Sequence, residues 1–253
     1  MESDKKESFA VRTLERGTAI LDVFIQERRP LSVAELHRIL NLSRSTVWRL
    51  VKVLETNKFL VKKTHSEQYW LGSKVLQLAA VFSEQSEISA LATPILLDLR
   101  NSTRETVHLN IREENERVCI YCLEGFEPIR SGNQEGQRSP LHLGASAKVL
   151  LAGMDDNSIK KYIDDKHMDS STASAVLREV EQIRQLGYSA SRQERIPEMV
   201  AISAPVKNPA GQTVAALSLT GPITREKSIL ENHTSKVIEA AKKLSIQLGC
   251  LCL

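Results

Sequence analysis

Apolar positions in the first quarter of the chain recur at helical spacing and are punctuated by caps and proline. Leu14, Ile20, Leu21, Val23 and Phe24 predict a first helix over residues 13–28, which Arg29-Pro30 stops. Ser32-Val-Ala-Glu35 has the form of a capping box, in which the serine hydroxyl accepts from the amide three residues on and the glutamate reaches back. It predicts a short second helix over 33–40. Asn41-Leu42 turns the chain, and Ser43 caps a third helix over 44–55 with Val47, Leu50, Val51 and Leu54 inward. Residues 59–61 and 68–71 read as short strands around a loop, 62–67. Two short capped helices followed by a hairpin predict a winged helix-turn-helix over residues 12–72.

Helical periodicity without a breaker continues over 73–86, a linker helix, and over 88–102, where Pro94 would kink the helix or sit near its first turn. From Thr106 the period changes to two, predicting strands at 106–112, 117–124 and 128–130 with a turn at 113–116. A loop at 132–138 leads into a helix after Gly144, followed by helices at 155–164 and 172–186, the last stopped by Gly187. Strands at 200–206 and 212–219 flank the turn Asn208-Pro-Ala-Gly211, and a helix over 225–248 closes the chain. This order predicts an α+β domain over 87–253, with a mainly antiparallel sheet and flanking helices.

Charge separates the two parts. Residues 1–72 carry 13 Lys/Arg against 9 Asp/Glu, whereas residues 73–253 carry 21 against 22. A basic module joined to a neutral one predicts a polyanion partner for the first alone. The outer face of the third helix supplies the chemistry: Arg44, Ser45, Thr46, Arg49 and Lys52. Arginine can be bidentate to guanine, hydroxyls reach bases or phosphates, and a helix N-terminus favours phosphate. Arg12, Ser32, Ser43 and Trp48 complete the expected DNA contacts, with Lys62 and Lys63 at the wing tip.

No apolar run approaches a membrane span and Met1–Ser8 is polar, so a cytoplasmic, non-membrane protein is expected. Cys119 and Cys122 lie in a predicted strand, where residues three apart point to opposite faces, so the thiols should diverge. Neither a metal site nor a cofactor is expected.

Several stretches resemble the IclR-type bacterial transcriptional regulators: Val11-Arg-Thr-Leu-Glu-Arg16, Leu42-Ser-Arg-Ser-Thr-Val-Trp-Arg-Leu50, Glu105-Thr-Val-His-Leu109, Pro140-Leu-His-Leu-Gly-Ala-Ser-Ala-Lys-Val-Leu-Leu151, Gly187-Tyr188, Ala204-Pro-Val206 and residues 211–222. The resemblance implies a GAF-like C-terminal domain, a homodimer or homotetramer on a double-stranded operator, and a small effector that often carries a carboxylate. It places that effector among Gly144, Ala145, Ser146, Ser191, Ala201, Ser203, Ser218 and Thr220. This sequence departs from the family pattern at Ala201, where a cysteine is usual, at Ser191, where an acidic residue is usual (with Glu194 nearby), and at Ala147, where glycine is frequent. These departures predict a site with fewer polar anchors, whose hydroxyls suit a sugar acid or polyhydroxy acid.

Two other functions compete. A winged domain can serve protein contacts without binding DNA. An enzyme could be built on His142, His108, Ser146 and Cys119, but the sequence has no nucleophile elbow, metal box or phosphate loop, so catalysis is not expected.

Overall fold

The computed structural model describes the backbone of residues 2–85 and 87–250, and the side chains of residues 11–81 and 88–250. The chain divides into two compact units, residues 1–85 and 86–253.

The first unit begins with α1 (Glu2–Glu27), longer at its start than its apolar pattern predicts. Arg28 ends it in a left-handed conformation (φ 51°), its amide donating to the Phe24 carbonyl. β1 (Leu31–Ser32) leads into α2 (Val33–Leu40), and the capping box forms as expected: Glu35 N–H donates to Ser32 Oγ, and Ser32 N–H donates to Glu35. Such a cap stabilises a helix by about 1 kcal/mol. Asn41, also left-handed, carries the chain into α3 (Arg44–Thr56). Strands β2 (Leu60–Lys62) and β3 (Gln68–Leu71) form the wing, and β1 pairs with the outer edge of β3. Ile20, Val23 and Phe24 of α1 close a core with Leu36, Val47, Leu50, Val51, Leu60 and Tyr69. Gly72 leaves the wing where any Cβ would lie 2.2 Å from the Lys58 carbonyl oxygen, so the close strand-to-loop approach needs glycine. α4 (Ser73–Gln85) follows.

The second unit opens with α5 (Glu87–Thr103), which continues through Pro94. Its sheet is antiparallel, six-stranded and ordered β6-β5-β4-β9-β8-β7. The strands are β4 (Thr106–Glu113), β5 (Glu116–Leu123), β6 (Arg138–Pro140), β7 (Ser189–Arg192), β8 (Met199–Lys207) and β9 (Thr213–Pro222). The expected strand at 128–130 is absent. β4 and β6 occupy both edges of β5, which leaves that segment no partner.

Strand alternation sorts the sheet into two faces. Val107, Leu109, Ile202, Ala204, Leu217 and Leu219 pack on α5 and on α9 (Thr234–Gln247). The opposite face is polar, and over it lie α6 (Ala145–Ala152), α7 (Asp156–Asp165) and α8 (Ser170–Leu186). The expected continuous helix over 225–248 is instead a 3-10 turn (Ile223–Arg225), a π-turn (Ser228–Asn232) and α9. Arg225 is drawn to Glu105 while Ile229 enters the core, and Asn232-His233 are weak helix formers at the break.

Candidate DNA-reading face and effector chamber

α3 sits on the first-unit core through Val47, Leu50 and Val51, which turns Arg44, Ser45, Trp48 and Arg49 to solvent. Ser43 caps it: its Oγ accepts the Thr46 amide (3.2 Å) and meets the hydroxyls of Ser45 and Thr46 at 3.1 and 2.8 Å. Among the described residues Arg44, Arg49 and Lys63 make no ion pair, whereas Lys52 is bound to Glu55 and Lys62 to Glu67. The wing lysines therefore differ: Lys63 is a free cation and Lys62 is tied across the loop. A groove of about 560 Å³ runs between the start of α2, α3 and the wing, lined by Ser32, Arg44, Ser45, Trp48, Lys52, Lys62 and Tyr69. Trp48 is 53% exposed and stands in this groove rather than on α1. The Ser32 hydroxyl is committed to its cap, and Arg12 is exposed on α1.

On the polar face of the second unit, strand register sets two rows. His108, Ser218, Ser203 and Ser189 form one; Thr106, Thr220, Ala201 and Ser191 form the next. A small chamber lies between these rows and the start of α6, bounded by His108, Gly144, Ala145, Ser146, Ser191, Glu194, Arg195, Ala201 and Thr220. Ser203 and Ser218 do not line it. They are fully buried beneath it, Ser218 Oγ donating to Ser203 Oγ (2.7 Å) and Ser203 to the Leu217 carbonyl. The free volume is about 30 Å³, room for a water molecule or so.

The first amides of α6 are already engaged. Gly144 N–H donates to Glu194 Oε2 (3.0 Å) and Ala145 N–H to Ser191 Oγ (3.1 Å). Lys148, one turn on, bridges Glu194 and Glu179 at 2.8 and 2.9 Å. Glu194, three residues beyond Ser191, thus brings a carboxylate to the Gly144 amide at the start of α6. A chain of buried hydrogen bonds then crosses the sheet. Arg117 Nη1 donates to Asn110 Oδ1 (2.6 Å), and Asn110 Nδ2 meets His108 Nδ1 (2.9 Å). His108 Nε2 meets Thr220 Oγ1 (2.9 Å) and Asn133 Nδ2 (3.1 Å), and Arg195 donates to Asn133 Oδ1. Arg117, Asn110, Asn133 and Arg195 carry no local sequence signal that would have placed them in this network.

Burial, reinforced by Arg117 and Arg195, pushes His108 down to about 3 from its ordinary 6.5. It is therefore neutral in the fold but takes a proton when unfolded below about 6.5. Its contribution to stability is complete above that value and is lost as pH falls towards 3. Urea unfolding followed by far-UV circular dichroism between pH 7.5 and 4.5 should show His108→Gln reducing the pH slope by about one proton. An unchanged slope would mean that His108 is already charged in the fold.

The thiols do not diverge. A β-bulge skips Ile120, so that Cys119 pairs opposite Asn110 and Cys122 opposite His108, both on the polar face. Cys119 Sγ donates to the Tyr121 carbonyl and Cys122 Sγ to the Asn133 carbonyl, and both are free thiols. His142 Nδ1 bonds to the Tyr162 hydroxyl (2.7 Å). Among the described residues no cluster could hold a metal, and no helix is long and apolar enough to cross a membrane.

Two family descriptions match this chain: an IclR helix-turn-helix domain over residues 13–63, and the C-terminal domain of bacterial transcriptional regulator IclR over residues 80–246. Among similar proteins, the HTH-type transcriptional regulator KdgR of Escherichia coli K12 is 28% identical over 244 residues, covering 92% of this chain and 93% of its own. The HTH-type transcriptional repressor AllR of the same organism is 28% identical over 247 residues, covering 94% and 90%. The crystal structure of IclR from Thermotoga maritima has a TM-score of 0.75 at 27% identity, covering 94% of this chain and 99% of that one. An IclR homologue from Microbacterium hydrocarbonoxydans, complexed with 4-hydroxybenzoate, shares the fold with a TM-score of 0.82 at 21% identity, covering 94% and 99%.

Proposed function

Because the chain belongs to the IclR family of bacterial transcriptional regulators, we propose that α3 enters the major groove of an operator. Arg44, Ser45, Thr46 and Arg49 face base edges there, while Ser43, Lys52, Lys63 and Arg12 meet phosphates. Trp48 fills the space between α3 and the DNA backbone. One observation carries this reading: Arg44 and Arg49 stand exposed and unpaired on a serine-capped helix beside a wing. The protein acts as a repressor, a reading supported by the name of its relative AllR. It works as a dimer, supported by the exposed Leu76, Leu78 and Val81 on α4.

The effector is a small organic acid bound between the α6 amides and Ser191, Ala201 and Thr220. The 4-hydroxybenzoate held by a structural neighbour carries a carboxylate of this kind. Ligand and DNA are coupled, so each weakens the other by the same factor. Selection from random DNA, followed by mobility shifts against salt, tests the reading. A steep salt slope with surviving sequence preference is expected. Binding with no preference for any selected site would leave only a protein-interaction module.

A further inference from the structure

We propose that the turn between β7 and β8, residues 193–198, is a latch on the chamber, and that the Glu194 carboxylate holds the place an effector's carboxylate takes. This rests on reading the chamber as the effector site. Glu194 Oε2 accepts from Gly144 N–H at the start of α6 (3.0 Å), and Oε1 accepts from Lys148 Nζ (2.8 Å). One carboxylate thus bridges a backbone N–H and a buried ammonium, two donors that a free carboxylate bridges equally well. The turn lies directly on the helix start, where a Cβ added at Gly144 would meet Arg195 Cβ at 3.8 Å. Glu194, Arg195 and Ile196 all wall the chamber. With the turn down, its free volume of about 30 Å³ admits no organic acid.

The turn is fixed at its ends and held in its middle by side chains. Gln193 and Glu198, at its two ends, are both left-handed (φ 55° and 61°), an uncommon conformation for such residues. Gln193 N–H donates to the Met199 carbonyl and Ile223 N–H to the Glu198 carbonyl, each at 2.7 Å. Between them, Arg195 is held by Asn133 and Glu194 by Gly144 and Lys148. Exposure decides which partner gives way. The Glu194 side chain is 27% exposed and that of Lys148 only 8%. The carboxylate swings out to water, while Lys148 stays buried against Glu179 (2.9 Å).

Charge then selects the class of ligand. With Glu194 out, the Gly144 N–H has lost its acceptor and Lys148 one of its two carboxylates. A buried donor stripped of its acceptor is costly, so opening is unfavourable until another acceptor arrives. A free carboxylate restores both contacts and leaves the charge of the chamber unchanged. A neutral amide leaves the second carboxylate of Lys148 unreplaced. Glu194 does not touch the acid once it is bound, so the cost of opening is the same whichever acid follows.

Isothermal titration of the full-length protein with formate, acetate, glycerate and benzoate, against acetamide and benzamide, is the test. Glu194→Ala should bind acetate and at least one larger acid about tenfold or more tighter than the parent. The gain should agree within about threefold among the acids that the parent binds measurably, and neither amide should gain. A merely structural carboxylate gives another pattern: formate and acetate alone gain, by filling the space its side chain leaves. That pattern overturns the proposal. Arg195→Ala frees the turn from Asn133 and should tighten the acids too. Weakening would make Arg195 an anchor for the ligand and overturn the latch. Glu194→Gln keeps the shape without the charge; it should shift binding the same way, and it serves if Glu194→Ala fails to fold. Amides gaining like acids, or no acid bound by any variant, also overturns the proposal. Ala201→Leu, which narrows the chamber, separates this from the underlying reading. If parent and Glu194→Ala bind acids alike and both lose them on Ala201→Leu, the chamber remains the effector site and only the latch falls. If an acid bound by Glu194→Ala is untouched by Ala201→Leu, the effector site lies elsewhere and the latch falls with it.

Discussion

Arg44→Ala and Arg49→Ala each weaken operator binding by about 1–3 kcal/mol, roughly tenfold to a hundredfold, and the double variant binds all sequences alike. The magnitude follows from what a bidentate arginine–guanine contact is worth and from the freedom of these two side chains. Neither must break an ion pair before reaching DNA, unlike Lys52 or Lys62, which would first leave Glu55 and Glu67. Lys63→Ala should therefore lower affinity uniformly across sequences, as a phosphate contact does, and reduce the salt slope by about one. Quantitative mobility shifts on the selected operator and on scrambled DNA distinguish the two patterns. If both arginine variants shift the operator like the parent, α3 is not the reading helix.

The largest loss of stability is expected at an ion pair that lines neither the α3 groove nor the chamber. Glu105 is 3% exposed, and its carboxylate receives a two-pronged contact from Arg225, Nε to Oε1 at 2.5 Å and Nη2 to Oε2 at 2.8 Å. The same guanidinium also donates to the Ile129 carbonyl. Arg225→Met strands a buried carboxylate. The penalty is about 3 kcal/mol, at the low end for such pairs because the arginine side is partly wet. The carboxylate has little room to relax, since even a methyl group on Gly221 would lie 2.5 Å from Glu105 Oε2. Both tryptophans, Trp48 and Trp70, belong to the first unit. Urea unfolding by far-UV circular dichroism should therefore show the loss while tryptophan fluorescence does not. Adding Glu105→Gln should recover part of it, because the stranded charge is then gone. A loss below about 1 kcal/mol in the single variant would show that water satisfies Glu105.

The first unit was largely legible from periodicity and caps, because its core is apolar and its helix starts use side chains with one obvious role. Ser32 and Ser43 show this: their hydroxyls accept the amides that the sequence pattern assigns them. The second unit was less so, for a physical reason. Its chamber face is polar yet buried, so the rule that polar residues point outward fails there. β7 went unread because Ser189 and Ser191 are the inward positions of Ser-Ala-Ser-Arg. Arg117 likewise opens a predicted strand, and nothing local to it signals that its guanidinium is buried. That Cys119 and Cys122 share a face was illegible for another reason. A bulge is set by how two strands pair, and nothing local to Cys-Ile-Tyr-Cys announces the extra residue.

The Glu194 side chain on the Gly144 amide has a consequence for the proposed effector site. A carboxylate fixed to the same backbone is a tethered competitor, present at a local concentration set by its short loop and not by the cell. An acid at the proposed effector site would bind only in the fraction of molecules whose loop has let go, with an apparent dissociation constant equal to the intrinsic one divided by that fraction. Sensitivity is thus separated from recognition. The residues that touch the ligand decide which acid is read, and the strength with which Gln193–Glu198 holds its own carboxylate in place sets the concentration at which reading begins.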